Sequence, residues 1–375
     1  MRPMSLRSWR LLLFTVFGLA SIGGSWFDWG LQPMADAAVG KALRDSANSD
    51  TSSKSDNLQL YIDFPKGWKA KELRNHPLIG RIWSRKKNDF IDEFTLVDDI
   101  ATADYLLLGE VHDNPDAHRL QAWVLTQYVV MHRALKPAVV MEMLNEAQQP
   151  ALDKFLAALP PDDKGKNGTG RFFDAVGWGK SGWPDAEIYA PIIYAALYWS
   201  GHLFPASAAR STVRDIGKNG FAKLSEKSRK ALHLNETLTP SLVSSLTSEL
   251  KEGHCNLLPE RMIPTMLKVQ RFRDAKMADA MVKAGQDHGA ILIAGNGHVR
   301  LDRAVPWYLR RMQPGKSILT ISMLEVRNGE TSPDSYVPRD PDGKPAVDFV
   351  IFTPRQTRPD QCEELRKMFK KKKTR

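Results

Sequence analysis

Three apolar segments of the sequence each end in side chains that can do acid–base or metal chemistry. Glu110 and His112 follow the apolar residues of LLLGEVHDNPDAH, Glu142 follows those of PAVVMEM, and His298 follows those of GAILIAGNGH. Apolar runs of this length suit buried strands, and ligands of parallel sheets bind beyond the carboxyl ends of the strands. If the three strands are neighbours, the four side chains converge on one crevice.

Imidazoles and carboxylates at one edge predict two kinds of chemistry. They suit a divalent transition metal such as Zn, Mn or Fe, with His112, His298, Glu110 and Glu142 as ligands. They also suit hydrolysis, with Glu110 or Glu142 as the catalytic general base. The structural alternative is a polar network that caps strand ends, although several ionisable groups at one edge are costly to desolvate without a ligand.

The aromatic segment VGWGKSGWPDAEIYAP is a second candidate feature. Its Trp183 and Tyr189 can form a flat platform for a planar ligand such as haem, and tyrosine can ligate haem iron. The alternative is a loop that its tryptophans pin onto the core. His118 lies in the first turn of a predicted helix, three residues after Pro115, and faces either the crevice or solvent.

The elements that must position these residues alternate between strand and helix. Short continuous apolar runs predict central parallel strands, and amphipathic segments between them predict helices. Residues 217–260 contain two amphipathic segments with no strand between them. The predicted fold is therefore α/β, with a mainly parallel β-sheet flanked by helices and a smaller inserted all-helical subdomain.

The chain begins with a predicted signal peptide, residues 1–37. Arginines precede the apolar run LLLFTVFGLA, and small residues stand at the expected cleavage position. An uncleaved anchor is the alternative, and either would export the protein to the periplasm. Residues 38–57 have the composition of a flexible linker, residues 58–366 form the main domain, and residues 367–375 form a basic tail.

Two cysteines, Cys255 and Cys362, bear on the same expectation. In an oxidising compartment a pair of cysteines favours a disulfide, and two separate buried thiols are the alternative. The formal net charge of +10 raises the question of nucleic acid binding. No zinc-finger spacing, RNA-binding sheet signature or basic heptad array supports it, so we expect no nucleic acid partner.

Seven segments between about Leu96 and Arg366 resemble the ChaN-like haem-binding uptake proteins of the Tiki superfamily, which are exported bacterial proteins. They are LLLGEVHDNPDAHRLQ, VVMEMLNEAQQPALDKF, SGWPDAEIYAPI, HCNLLPERM, QRFRDAKMA, ILIAGNGHVRLDRAVPWYL and DFVIFTPRQTRPDQCEELR. The resemblance implies a parallel sheet flanked by helices, with haem held between paired monomers by a tyrosine ligand. Tyr189 is the first candidate for that ligand.

More distant relatives, the Tiki-type metalloproteases, place metal ligands on two G-x-x-H motifs and a glutamate. This chain has both motifs, which end at His112 and His298. The related erythromycin esterases use a comparable glutamate–histidine site for hydrolysis. The chain departs from lipoprotein members of the family, because no cysteine follows the N-terminal apolar run.

The expected function is that of an exported haem- or iron-binding protein acting in haem or iron uptake. Tyr189, Trp183 and His118 would contact the haem, and Arg300 would meet its propionates. The expected partners are a second copy of the chain, which would sandwich the haem, and membrane haem-uptake components. The alternative is a metal-dependent hydrolase, a Tiki-like peptidase or esterase.

Overall fold

A computed structural model describes residues 64–286 and 288–373 of the chain. In this range eight strands form one sheet: β1 (Ile82–Ser84), β2 (Asp89–Ile91), β3 (Tyr105–Glu110), β4 (Ala138–Asn145), β5 (Leu203–Ser207), β6 (Ala290–Gly295), β7 (Ile318–Glu325) and β8 (Phe349–Thr353). Their order across the sheet is β2-β1-β8-β7-β3-β6-β4-β5. β1 pairs antiparallel with β2 and with β8, and all other neighbouring pairs are parallel. The predicted signal peptide and linker lie outside the described residues.

Helices cover both faces of the sheet. In the described range they are α1 (Glu93–Ile100), α2 (Pro115–Met131), α3 (Gln149–Ala158), α4 (Lys166–Ala175), α5 (Ala186–Ala195), α6 (Arg210–Asn219), α7 (Glu226–Ala231), α8 (Pro240–Glu252), α9 (Ile263–Gly285), α10 (Val305–Met312) and α11 (Gln361–Lys373). A π-helical turn, Ala196–Ser200, extends α5. None of these helices combines the length and the apolar composition needed to span a bilayer.

The central strands are apolar because both of their faces are covered. In β3, Leu106 and Leu108 belong to the hydrophobic cluster on one face, and Tyr105 and Leu107 belong to the cluster on the other. All four are buried, and full burial of each leucine contributes roughly 1.5–3 kcal/mol. The alternation confirms the predicted α/β fold with a mainly parallel sheet.

The helical insertion predicted over residues 217–260 falls in a helical stretch of the described chain. No strand lies between β5 and α9, and that stretch holds the helices α6, α7 and α8. At the other end of the chain, α11 extends to Lys373, so the first part of the predicted basic tail is helical.

A disulfide joins the predicted pair, Cys255 and Cys362, across a sequence separation of 107 residues. Cys255 follows α8, and Cys362 lies at the start of α11. The bond therefore ties the C-terminal helix to the helical insertion and closes a long loop.

Replacing both cysteines, as in Cys255→Ser/Cys362→Ser, is expected to lower the free energy of unfolding by about 4–5 kcal/mol, because the unfolded chain regains the freedom of the closed loop. Urea unfolding with and without reductant measures the effect. Reductant should destabilise the natural chain and leave the double variant unchanged. Equal stability of the two proteins without reductant would contradict the expectation.

Candidate functional site

The ends of three adjacent strands, β3, β6 and β4, bring the four predicted residues together. Glu110 is paired with Gly295 across the β3–β6 ladder, and Oε2 of Glu142 accepts a hydrogen bond from the backbone N–H of Gly295 at 2.9 Å. Nδ1 of His112 lies 2.6 Å from Oε1 of Glu110. Nε2 of His298 lies 3.4 Å from Oε1 of Glu142. The sequence-based prediction of one crevice therefore agrees with this arrangement.

The two G-x-x-H segments fit together through their glycines. A Cβ atom at Gly109 would lie 2.5 Å from Oδ1 of Asn296 and 2.6 Å from Cγ2 of Val299. A Cβ atom at Gly295 would lie 2.9 Å from the His112 ring. The missing side chain at each glycine thus leaves space for the other segment. This close fit explains why both G-x-x-H motifs begin with a glycine.

Two residues of α9 that were not among the sequence-based candidates complete the crevice. Oδ1 of Asp274 lies 2.6 Å from Nδ1 of His298, and the guanidinium of Arg273 donates to Oε1 of Glu142 at 2.5 Å. Gln270, one turn earlier on the same helix face, also contacts His298. The available signal was the spacing of these polar residues, which lie three and four positions apart and so share one face of the helix.

The buried charges of the crevice stabilise one another. Burial opposes the charged form of His298, but Glu142 and Asp274 outweigh it and raise the pKa of His298 to about 9. Burial also acts to raise the pKa of Glu142, but His298 and Arg273 hold it well below its usual range. At neutral pH the crevice therefore contains a Glu142 carboxylate beside a His298 imidazolium.

One side of the crevice has an unmet hydrogen-bonding requirement. Oε2 of Glu110 is buried and has no hydrogen-bond partner among the described residues. His112 is the accessible member of the group, with 23% of its side chain exposed. The ring of Trp183 lies edge-on to it, with centroids 4.9 Å apart. A buried carboxylate oxygen without a partner is costly, so this side suits a bound donor such as water.

The divalent metal site predicted from the sequence does not fit this arrangement. Among the described residues, no three His, Cys, Asp or Glu side chains form a group that could hold a metal ion. The physical reason is that the carboxylates already bind cationic partners. Arg273 places a guanidinium on Glu142, and His298 is held between Glu142 and Asp274.

Tyr189 and His118, expected to contact haem, are instead core residues. Neither is exposed, and Tyr189 packs between Trp178 and His118 at centroid distances of 4.9 and 4.0 Å. The Tyr189 hydroxyl donates to the backbone carbonyl of His112, and Nε2 of His118 lies 3.0 Å from the same oxygen. Burial raises the pKa of Tyr189 well above its usual value. Both side chains therefore position the His112 backbone, and neither presents exposed surface that could contact haem in this structure.

The other two expected haem contacts have different surroundings. Arg300 is 8% exposed, and its guanidinium donates to both carboxylate oxygens of Asp302 and to the carbonyl of Arg339, so it does not fit the expected propionate role. Trp183 is half-buried beside His112. Trp178 is buried and its indole N–H donates to the carbonyl of Pro184, as expected for a loop pinned onto the core.

The fold and the crevice define an α/β protein with an acid–imidazole site at the carboxyl ends of its strands. The family described as haem-binding uptake, Tiki superfamily, ChaN matches residues 96–309, more than half of the chain, and the protein belongs to this family. No curated protein matches the chain significantly.

One solved structure supports the fold, and two others show a weaker likeness. A structure described as cofacial haem binding to ChaN of Campylobacter jejuni covers 72% of this chain and 95% of its own, with 20% identity and a TM-score of 0.55. A mutant of the erythromycin esterase EreC in its open conformation covers 74% of this chain and 84% of its own, with 16% identity and a TM-score of 0.35. The type III effector HopBA1 covers 77% and 98%, with 12% identity and a TM-score of 0.36.

Gly295→Ala is expected to destabilise the protein by roughly 1–3 kcal/mol, because the added methyl group overlaps the His112 ring. Thermal or urea unfolding measures the loss. Gly179→Ala is the matched control, because a Cβ atom at Gly179 meets no other atom within 4 Å. If both variants unfold at the same midpoint as the natural chain, the close fit of the two segments is not a constraint on stability.

Proposed function

We propose that this protein binds haem and acts in haem or iron uptake after export. Membership of the haem-binding uptake family supports the binding, as does the fold shared with a ChaN protein whose structure is described as binding haem cofacially. The predicted signal peptide, residues 1–37, supports export to the periplasm. A second copy of the chain and membrane uptake components remain part of the proposal.

The iron ligand implied by the family resemblance is a tyrosine, and burial restricts the choice. Tyr198 is 37% exposed, and Tyr194 is half-buried. Every other tyrosine in the described range is buried: Tyr105, Tyr128, Tyr189, Tyr308 and Tyr336. This difference in exposure carries the assignment, because a phenolate oxygen must reach the iron to ligate it.

An apolar surface, here called the aromatic face, surrounds these two tyrosines. It consists of Tyr194, Tyr198, Trp199, Met131 and Leu135. The two tyrosine rings are stacked with 6° between their planes, and Trp199 lies edge-on to Tyr198. Met131 and Leu135 are 48% and 44% exposed. Exposed apolar side chains at one place mark a binding surface, and a flat one suits a porphyrin.

The fold holds the two parts of the aromatic face together. The Ser200 hydroxyl donates to the carbonyl of Pro137 at 2.6 Å, which places the turn after α2 beside the π-helical turn. Bound haem would supply an iron centre for tyrosine ligation, and this chain would supply Tyr198 with Tyr194 stacked against it.

Tyr198→Phe is expected to weaken haemin binding by on the order of tenfold or more and to alter the Soret band, because the phenolic ligand is lost and the ring is kept. Haemin titration followed by absorption measures both. Tyr189→Phe is the matched control and should keep the natural spectrum. A natural chain without a Soret shift rejects haem binding. A spectral change in Tyr189→Phe alone rejects the aromatic face as its site.

A second candidate function, hydrolysis of an ester or amide, is favoured by the crevice. His112 has its Nδ1 on Glu110, so its Nε2 can take a proton from water as the water oxygen attacks the carbonyl carbon. The His298 imidazolium, oriented by Asp274, can donate a proton to the leaving group as the carbon–heteroatom bond breaks. Glu142 holds His298 in its charged form.

An ester and peptide substrate panel tests this second function. His112→Ala is expected to reduce turnover by roughly 10²–10⁴-fold through loss of the general base. His233→Ala is the control, because the His233 ring pairs with the exposed Glu236 in the helical insertion. Haemin binding should be unaffected by either change. An inactive natural chain, or equal loss in both variants, would remove the hydrolase from consideration.

A further inference from the structure

Four basic side chains meet at the end of the sheet opposite the crevice. Lys136, His202 and His288 precede the adjacent strands β4, β5 and β6, and Lys164 precedes α4. Backbone hydrogen bonds connect the strand starts, from Val139 to the carbonyl of His202 and from Ala138 to that of Gly289.

Lys164 completes the cluster from the other side. Its Nζ lies 3.6 Å from the position that a Cβ atom would take at Gly201, next to His202. Lys136, His202 and His288 are exposed. The four side chains Lys136, Lys164, His202 and His288 are called the basic cluster below.

The charges of the basic cluster lack a counter-ion within the described part of the chain. No ion pair involves any of the four side chains there, although the chain pairs many of its other lysines and arginines. Burial lowers the pKa of His202, and Lys136, His288 and Lys164 lower it further. Asp287 lies outside the described residues. Each positive group makes it more costly to charge the others, and a bound anion would relieve this repulsion.

The backbone at Lys136 supports a binding role. Its φ of +51° lies in the left-handed region, which costs a residue other than glycine roughly 1–2 kcal/mol. The Lys136 backbone in this conformation connects the exposed Leu135 with the segment that enters β4. Strained residues of this kind concentrate at binding sites.

The basic cluster borders the aromatic face. The position of a Cβ atom at Gly165, next to Lys164, lies 3.6 Å from the ring of Tyr194. Lys136 follows Leu135 directly, and His202 lies in the turn that follows Tyr198. An apolar surface with cations along one border matches a porphyrin, which is a flat apolar ring with two carboxylates on one edge.

We infer that the basic cluster binds the two propionate carboxylates of the haem whose ring lies on the aromatic face. This inference rests on the proposed haem binding and assigns the orientation of the ring. Lys136 and Lys164 are the principal contacts, because their flexible stems carry a permanent charge.

Metal-free protoporphyrin IX tests the inference without iron ligation. The variant Lys136→Ala/Lys164→Ala is expected to bind the diacid roughly tenfold more weakly and to bind its dimethyl ester as the natural chain does. Quenching of porphyrin fluorescence measures both affinities. Lys223→Ala/Lys227→Ala removes the same charge from exposed sites of the helical insertion and is the matched control.

The outcomes separate this inference from the proposed function. If the natural chain binds neither porphyrin nor haemin, haem binding itself fails. Suppose instead that the natural chain binds them. If the Lys136→Ala/Lys164→Ala variant then prefers the diacid over the dimethyl ester as strongly as the natural chain does, the propionate assignment is overturned. The variant could also keep its preference for the diacid and lose binding to phosphatidylserine vesicles. That result overturns the propionate assignment and assigns the cluster to an anionic lipid surface. Tyr198→Phe should keep the preference for the diacid, since that variant loses only the iron ligand.

Discussion

The buried carboxylate of Glu142 is the group on which the crevice depends. It accepts hydrogen bonds from the Gly295 N–H of β6 and from the Arg273 guanidinium of α9. The His298 ring lies 3.4 Å from the same carboxylate. A carboxylate with 2% exposure would be strongly destabilising without such partners. Its burial therefore requires that β4, β6 and α9 meet at this point, and it fixes His298 in its charged form.

The same pairing determines what the crevice can do. Glu142, Asp274 and His298 bind one another, whereas the Glu110–His112 pair has the more exposed imidazole and a carboxylate oxygen that has no hydrogen-bond partner among the described residues. Such a set suits proton transfer more than metal ligation. Tyr189 and His118, which are buried, contact the carbonyl of His112 and hold its backbone in place. The proposed haem binding is therefore assigned to another surface, the aromatic face that contains the exposed Tyr198.

Much of the fold and the strand-end residues of the crevice could be predicted from sequence, for a clear physical reason. A strand buried on both faces is a continuous apolar run, and the residues after it lie at one edge of a parallel sheet, so Glu110, His112, Glu142 and His298 were identifiable. Asp274 was not, because it lies in the middle of a helix and its role depends on how α9 crosses the sheet.

The surroundings of the expected haem contacts could not be predicted, for a different reason. An aromatic loop has the same composition whether its rings pack inward or face solvent, so Tyr189 was indistinguishable from a ligand platform. Arg300 was expected to meet the haem propionates, whereas its guanidinium donates to Asp302, two residues later. The exposed Tyr198 lies in a π-helical turn after α5, where the irregular backbone alters which side chains face outward.

The two candidate sites share strands but are electrostatically separate. Lys136 and Glu142 are six residues apart along an extended segment, which corresponds to roughly 20 Å. Exposed charges are screened over about 8 Å at physiological ionic strength, so the basic cluster has little influence on the protonation of the crevice. The strands between them are buried on both faces and close-packed, so they form a rigid connection between the two ends. Porphyrin binding at one end and proton transfer at the other are therefore physically compatible in one chain, and each can be lost without the other.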